Sequence, residues 1–359
     1  MNKINRPENI FSSSNNFNSS NNFNSSNNFN SSNNFNSFSN FRGFSNFRSG
    51  ICKKILTSGT ANIELCLNVD EFPVQYVPVH YSCDKVSMDL GGTGANICSG
   101  FMALGSDIDF ICITGNDFTA SFLRAELVRR GFSDRYFFTG MDENPLSIII
   151  YDALGRRRIN SDHKTLSKAQ FPEGFIEDNI DFCSYSLAVV CNVNYNRSLI
   201  PWLKKHNIPI ATDLHTLSRL DDEYNQQFMD AADIVFLSHE NLHMPPEEVI
   251  KYLVHEKREH SSAIAVTGLG KNGCLMGIKG HNRVYHFEAP DLRPVKNTVG
   301  AGDALFSGFL HFFNKTGDPF YSMQRAQVFA SWKTGESGAC KGFLSEHEVE
   351  SKLREFIQA

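Results

Sequence analysis

No stretch of this chain reaches the roughly eighteen consecutive apolar residues that a membrane-spanning helix requires. No block of Lys and Arg gives nucleic acid an electrostatic footprint either. Acidic side chains outnumber basic ones, 39 to 34, for a formal net charge of −5. The first fifty residues are basic, carrying Lys3, Arg6, Arg42 and Arg48 against Glu8 alone, so the body lies near −8, with 30 basic and 38 acidic residues. The nine cysteines form no CxxC pair and no Cys/His cluster at zinc spacing. Scattered thiols suit a reduced, cytoplasmic protein better than a disulfide framework. GxxxxGK[ST] is missing too, which excludes the phosphate loop of P-loop kinases.

What is present divides in two. Across residues 12–37 the unit NNFNSS recurs every six residues, followed by an FSNF echo up to residue 50. A polar tract of this kind cannot bury enough apolar surface to offset its ordering entropy, so 1–50 is expected to be a disordered low-complexity tail. Its regularly spaced Phe residues leave weak self-association as a second reading. The tail overlaps transit peptides in composition but lacks their regular Arg and amphipathic pattern. Residues 51–359 remain, about 309, enough for one substantial core.

In that body, short apolar runs alternate with amphipathic segments. The runs at 55–58, 109–114, 187–191, 208–212, 234–237 and 263–267 read as strands; 118–130, 197–206 and 247–257 read as helices. This rhythm predicts βαβ units and a mostly parallel sheet with helices on both faces. Ligands of such sheets gather at the carboxyl ends of the strands. Residues 69–90 and 145–160 break the rhythm and are expected to form a small antiparallel flap over those ends, the second as strands 146–151 and 156–159. Helices are expected at 321–333 and 345–357, the last opening on Ser345 and Glu348 as a capping box.

Gly268, Gly270 and Gly273 match GxGxxG, with Asp291 about twenty residues on. A dinucleotide site needs a helix after the glycines to hold the pyrophosphate. Here two strand-like runs follow, so a glycine turn between strands is the better reading and the dehydrogenase the weaker one.

The segment Asn297-Thr298-Val299-Gly300-Ala301-Gly302-Asp303 leads into apolar residues at helical spacing. Small residues there let backbone N–H groups face an anion at a positive helix end. Asp303 then has two readings: a helix cap, or a base that takes a hydroxyl proton while the amides stabilise a phosphoryl group. Upstream, Gly91-Gly92-Thr93-Gly94-Ala95-Asn96 is a Gly-rich turn before another helix, and Asn62 and Glu64 follow the first strand.

In this order, N-x-acid, GGxGAN, V-T-x-G-x-x-G and N-T-x-G-A-G-D, the motifs resemble the ribokinase-like PfkB family over about residues 55–345. The resemblance implies a three-layer ribokinase-like α/β fold, a mostly parallel central sheet with helices on both faces and a small β lid. It also implies an ATP-dependent kinase for a hydroxyl of a sugar or sugar-like molecule. Asp303 would be the base, with Gly300, Ala301 and Gly302 forming the anion hole. Asn62, Glu64, Gly91, Gly92 and Asn96 would hold the sugar; Thr267, Gly268, Gly270 and Thr298 would line the nucleotide site. ATP and Mg²⁺ are the implied cofactors, with a monovalent cation as an optional third. Lids of this family close over the sugar and in some members pair two subunits, which makes a homodimer through the lid an expectation.

Departures keep the substrate open. Glu64 stands where ribokinases usually carry Asp, and Thr93 where they carry Lys; their sugar-facing Glu falls near Val193 and Asn194. The family's N-x-x-E is replaced by Ser238-His239-Glu240-Asn241, with Glu240 as the substitute metal ligand. A nucleoside kinase of the same fold, and a non-catalytic sugar- or nucleotide-binding regulator, are the alternatives. Arg156, Arg157 and Arg158 read more readily as a solvated hairpin tip than as a substrate clamp. Asp213 and His215, at a strand end, are further cleft candidates.

Overall fold

The computed structural model describes residues 54–154, 156–255 and 261–358. The repeat-bearing tail, Gly155 of the hairpin turn and the end of the helix expected at 247–257 lie outside them.

The chain starts with β1 (Lys54–Ser58), then β2 (Asn62–Val69), β3 (Val86–Gly91), α1 (Thr93–Ala103), β4 (Ile108–Thr114), α2 (Phe118–Arg129), β5 (Phe137–Thr139), β6 (Leu146–Asp152) and β7 (Arg157–Asp162). After α3 (Phe175–Asn179) the alternation is regular: β8 (Tyr185–Val190), α4 (Ile200–Lys205), β9 (Ile210–Thr216), α5 (Glu223–Ala231), β10 (Ile234–Ser238), α6 (Pro246–His255) and β11 (Ile264–Gly268). A meander of β12 (Cys274–Ile278) and β13 (Tyr285–Phe287) precedes α7 (Ala301–Thr316), α8 (Pro319–Lys333) and α9 (Glu346–Gln358).

Nine strands form the main sheet in the order β13-β12-β11-β10-β9-β8-β1-β4-β5. Neighbours from β11 to β5 pair in parallel, while β12 and β13 are antiparallel additions at one edge. Both faces are covered, which is why the strands read as unbroken apolar runs: all six residues of β8 are buried. β10 shows the alternation. Val235 and Leu237 join the cluster with residues of α4, α5 and α6, while Phe236 turns the other way, its ring 4.9 Å from Phe306 and 5.3 Å from Phe309 of α7. The expected three-layer architecture is the observed one. Among the described residues no helix is long and apolar enough to cross a membrane.

The lid differs in detail from the expectation. It is a four-stranded sheet in the order β3-β2-β6-β7, and it is mixed, because β2 and β6 run parallel while β2–β3 and β6–β7 are antiparallel. Its first strand begins at Asn62, ahead of residue 69, so the N-x-acid motif belongs to the lid. Most of 69–90 is the irregular connection between β2 and β3. The helix expected at 197–206 opens with a 3₁₀ turn, Asn194–Ser198, and becomes α4 with Pro201 in its first turn, where proline costs no hydrogen bond. The glycine turn at 268–273 has no helix after it: a 3₁₀ turn, Gly270–Asn272, leads directly into β12. Gly273 sits at φ 82°, and a Cβ there would meet Phe287 O at 1.9 Å, so only glycine fits. The capping box at α9 is formed, with Ser345 N donating to Glu348 Oε2 at 2.7 Å.

Candidate active site

The site lies where the carboxyl ends of β9, β10 and β11 meet the N-terminus of α7. A cleft of ≈ 910 Å³ opens there, lined by Thr298, Gly300, Ala301, Gly302 and Asp303 on one side and by Asp213, His215, Glu240, Gly268 and Gly270 on the other.

Gly300 is the N-cap of α7 at φ 78°, and a Cβ on it would meet Ala339 O at 2.9 Å. The loop therefore needs glycine both for its turn and for its close backing. Ala301 N donates to Thr298 O at 3.2 Å, so that amide is spent within the turn. The amides of Gly302 and Asp303 have no acceptor inside the helix by position and remain for an anion. A Cβ on Gly302 would touch nothing within 4 Å, as suits a residue facing open cleft.

Asp303 stands in the first turn of α7. Asn96 of α1 donates from Nδ2 to Asp303 Oδ2 at 2.7 Å, and Cys340 Sγ donates to Asn96 Oδ1 at 2.9 Å. The GGxGAN asparagine thus aims the carboxylate. Burial raises the Asp303 carboxyl to about 6, with Asp213 adding to the rise, while His215, the Asn96 hydrogen bond and Lys333 oppose it. A group at that value is ionised at neutral pH and close enough to it to accept a proton.

Asn62 and Glu64 alternate onto one face of β2 and are both buried. Asn62 Nδ2 donates to Ser147 Oγ at 2.8 Å, which leaves its Oδ1 without a partner, and Glu64 Oε2 has none either. Unpaired buried oxygens are costly; two beside each other in a lid strand suit a ligand that brings hydroxyl donors. Glu64 rises to about 7, first through burial and then through the charges of Asp303 and Asp89, against a hydrogen bond from Gly92 N. A Cβ at Gly91 would lie 2.0 Å from the Glu64 carboxyl, so the glycine makes room for the longer acid.

Of the nucleotide-side residues, Gly268, Gly270 and Thr298 line the cleft. Thr267 is fully buried and its Oγ1 lacks a partner. Glu240 is on the rim, its side chain 57% exposed, 3.8 Å from Arg157. Val193 is buried in a core cluster and Asn194 donates to Ser167 O at 2.9 Å, so neither stands in for a sugar-facing acid.

Several residues carry more than the sequence suggested. Asp213, His215 and Asp303 bring potential ligand atoms within 4.8 Å of one another. His215 does so from φ 57°, an uncommon conformation for a residue with a Cβ; its Nε2 lies 3.3 Å from Thr93 Oγ1. Arg157 is exposed on β7 but partnered. It lines the cleft from the lid and donates to Thr298 Oγ1. Lys333, at the end of α8, is fully buried beneath the anion loop. Its place in the apolar stripe 326, 329, 330, 333 was the signal that could have singled it out.

The pfkB family carbohydrate kinase domain matches residues 53–346. The fructosamine kinase of Bacillus subtilis is 25% identical over 263 residues, 73% of this chain and 89% of that protein. The acarbose 7(IV)-phosphotransferase of an Actinoplanes species is 23% identical over 278 residues, covering 77% and 90%. Among solved structures, a microbiome-derived acarbose kinase superposes with a TM-score of 0.75 at 19% identity, over 84% of this chain and 99% of the other. The ribokinase of Thermotoga maritima gives 0.66 at 19% identity, over 84% and 99%; at these identities both structures speak for the fold. Anion loop, aimed carboxylate and β lid therefore stand in a domain whose family match runs through nearly the whole described body, and the chain belongs to the pfkB family of carbohydrate kinases.

Proposed function

We propose that this kinase moves the γ-phosphoryl group of ATP to a hydroxyl of a sugar or sugar derivative held between the lid and α1, with Asp303 as the base. The observation that carries the reading is the 2.7 Å hydrogen bond from Asn96 to Asp303 at the open N-terminus of α7. It fixes one carboxylate oxygen and leaves the other for the acceptor hydroxyl. Kinases of this family use ATP, and the cleft beside Gly268, Gly270 and Thr298 is the place for it.

The acceptor oxygen gives its proton to Asp303 as it bonds to phosphorus, while the bond from phosphorus to the leaving oxygen of ADP breaks. Negative charge on the phosphoryl oxygens meets the free amides of Gly302 and Asp303 and the positive end of α7. Arg157 adds a guanidinium from above, within reach of the same loop. The lid keeps out the water that would otherwise take the phosphoryl group. Asn62 and Glu64, with their unpartnered oxygens, accept from sugar hydroxyls.

Magnesium suits hard oxygen donors. The carboxylate of Asp213, within 4.8 Å of Asp303, is better placed to hold it than Glu240, which is exposed and drawn to Arg157. When bound with ATP, the ion supplies charge neutralisation at the phosphates. All eight cysteines among the described residues are free, which supports a cytoplasmic location.

A second copy of the chain is the partner we propose for the outer lid face. Leu65 is in register with Met88 and with Ile148, and all three are exposed, forming an apolar row across β3, β2 and β6.

ADP release over a panel of sugars, amine-bearing sugars and nucleosides tests the reaction and separates sugar from nucleoside kinase. Asp303→Asn, which cannot take the proton, is expected to lose about 10²–10⁴ in turnover while ATP affinity by calorimetry stays close to wild type. Turnover retained in that variant would remove Asp303 as the base. No turnover with any acceptor, together with tight nucleotide binding, would favour the regulatory reading.

A further inference from the structure

Lys333 is a charged residue with no contact to solvent, at the C-terminus of α8. Its Nζ donates to Val299 O at 3.3 Å and to Gly338 O at 2.6 Å. Lysine is seldom fully buried without a carboxylate on it; here the partners are two backbone carbonyls, one in the residue just ahead of the Gly300-Ala301-Gly302 loop. The surroundings hold the geometry on every side. Thr334 O accepts from Lys296 N at 2.8 Å and Asn297 N at 3.0 Å, and Asn297 Oδ1 accepts from Val299 N at 2.9 Å. The peptide between Val299 and Gly300 is planar and trans, so its carbonyl and its N–H point in opposite directions. A carbonyl drawn down onto the ammonium therefore turns the Gly300 N–H up, toward the cleft that Gly300 lines.

We propose that Lys333 is a positioning residue, a tethered monovalent cation that holds and charges the anion loop in place of a free ion. A free monovalent cation does not fit here, because Val299 O and Gly338 O already hold a positive charge and a second would be repelled at contact distance. The assignment rests on the kinase reading of the same loop. Burial lowers the ammonium to about 8, with Cys340, Asp303 and Glu336 pulling it up and Arg293 pushing it down, which leaves the charged form dominant at pH 7. The charge is felt across the loop, since Lys333 lowers the Asp303 carboxyl.

The test uses the full-length enzyme in buffers whose only monovalent cation is tetramethylammonium, K⁺ or NH₄⁺. The wild type is expected to show the same turnover in all three. Lys333→Ala empties the place of the ammonium and is expected to lose turnover by about 10²-fold in tetramethylammonium, the scale of one lost charge-stabilising group. K⁺ or NH₄⁺, small enough to enter, should restore a large part of it. Melting temperature gives a second readout that needs no turnover: NH₄⁺ should stabilise Lys333→Ala and leave the wild type unmoved, as an ion bound by the native state alone does. If no acceptor is turned over yet this selective stabilisation appears, the kinase reading fails and the cation assignment stands. A wild type activated several-fold by K⁺ overturns the proposal without any variant, so it is decided even if Lys333→Ala does not fold. A folded Lys333→Ala that is fully active, or inactive with neither rescue nor stabilisation by any monovalent cation, overturns it too.

Discussion

Glu64 and Asp303 are two carboxylates of one site, each held above its ordinary range by burial and by the other acids nearby. For Glu64 the rise from 4.5 to about 7 corresponds to about 3 kcal/mol, at about 1.4 kcal/mol per pKa unit. The sign follows from linkage. The folded protein binds the proton more tightly than the unfolded chain, so between about pH 4.5 and 7 the native state carries more protons and stability falls as pH rises. Glu64→Gln, which keeps the shape and cannot ionise, should remove that slope. Urea melts at pH 5 and pH 8 are expected to show the variant gaining stability over wild type, by about 1–3 kcal/mol, at the higher pH alone. An equal difference at both would mean that Glu64 is not protonated in the fold. Asp303 gives the matching kinetic signature. As the proposed base its carboxylate must be ionised, so turnover should fall on the acid side of about pH 6.

At the scale of the element, β7 shows what alternation does to a run of three arginines. Arg156 folds back onto Asp152 at 2.7 Å. Arg157 and Ile159 share the face that lines the cleft, which puts Arg158, in register with Ile150, on the opposite face. One arginine of the three can meet a phosphate. Arg157→Ala is therefore expected to lower kcat/KM by about tenfold, or ~1.4 kcal/mol of transition-state stabilisation, and Arg158→Ala to leave it within about twofold. Steady-state kinetics of the two variants side by side decide the point. Equal losses would return Arg157 to the role of a solvated tip. The composition of the run offered no way to choose among its members, because the choice depends on which pleat each residue occupies.

For the whole molecule, the lid has two faces with different chemistry. The inner one presents Asn62, Glu64 and Ser147; the outer one carries Leu65, Met88 and Ile148, exposed by 37%, 50% and 48%. An exposed apolar row on a short sheet is stabilised by a self-complementary neighbour. Light scattering is expected to give a dimer for the wild type and a monomer for Met88→Glu. KM for the acceptor should rise in that variant more than KM for ATP. A monomeric wild type would dispose of the pairing.

The sequence alone determined the class of fold and the place of the Gly-rich loop at the start of a helix. Both are written in local signals: apolar runs at strand length, periodic helices, and glycines placed where a helix must start against an anion. The decoy at 268–273 was resolved in the same way, by the strand that follows it. What only the tertiary structure decided depends on contacts between residues far apart in the chain. Asn96 meets Asp303 across 207 positions, Arg157 reaches Thr298 across 141, and Lys333 reaches Val299 across 34. The lid strand at Asn62 follows β1 after a three-residue turn and reads in sequence as its continuation; only pairing with β3 and β6 makes it part of another sheet. Lys333 looked like an ordinary helix-end lysine. Its burial, and the two carbonyls that accept from it, arise only when α8 packs beneath the loop, since a charge acquires its environment from what folds around it.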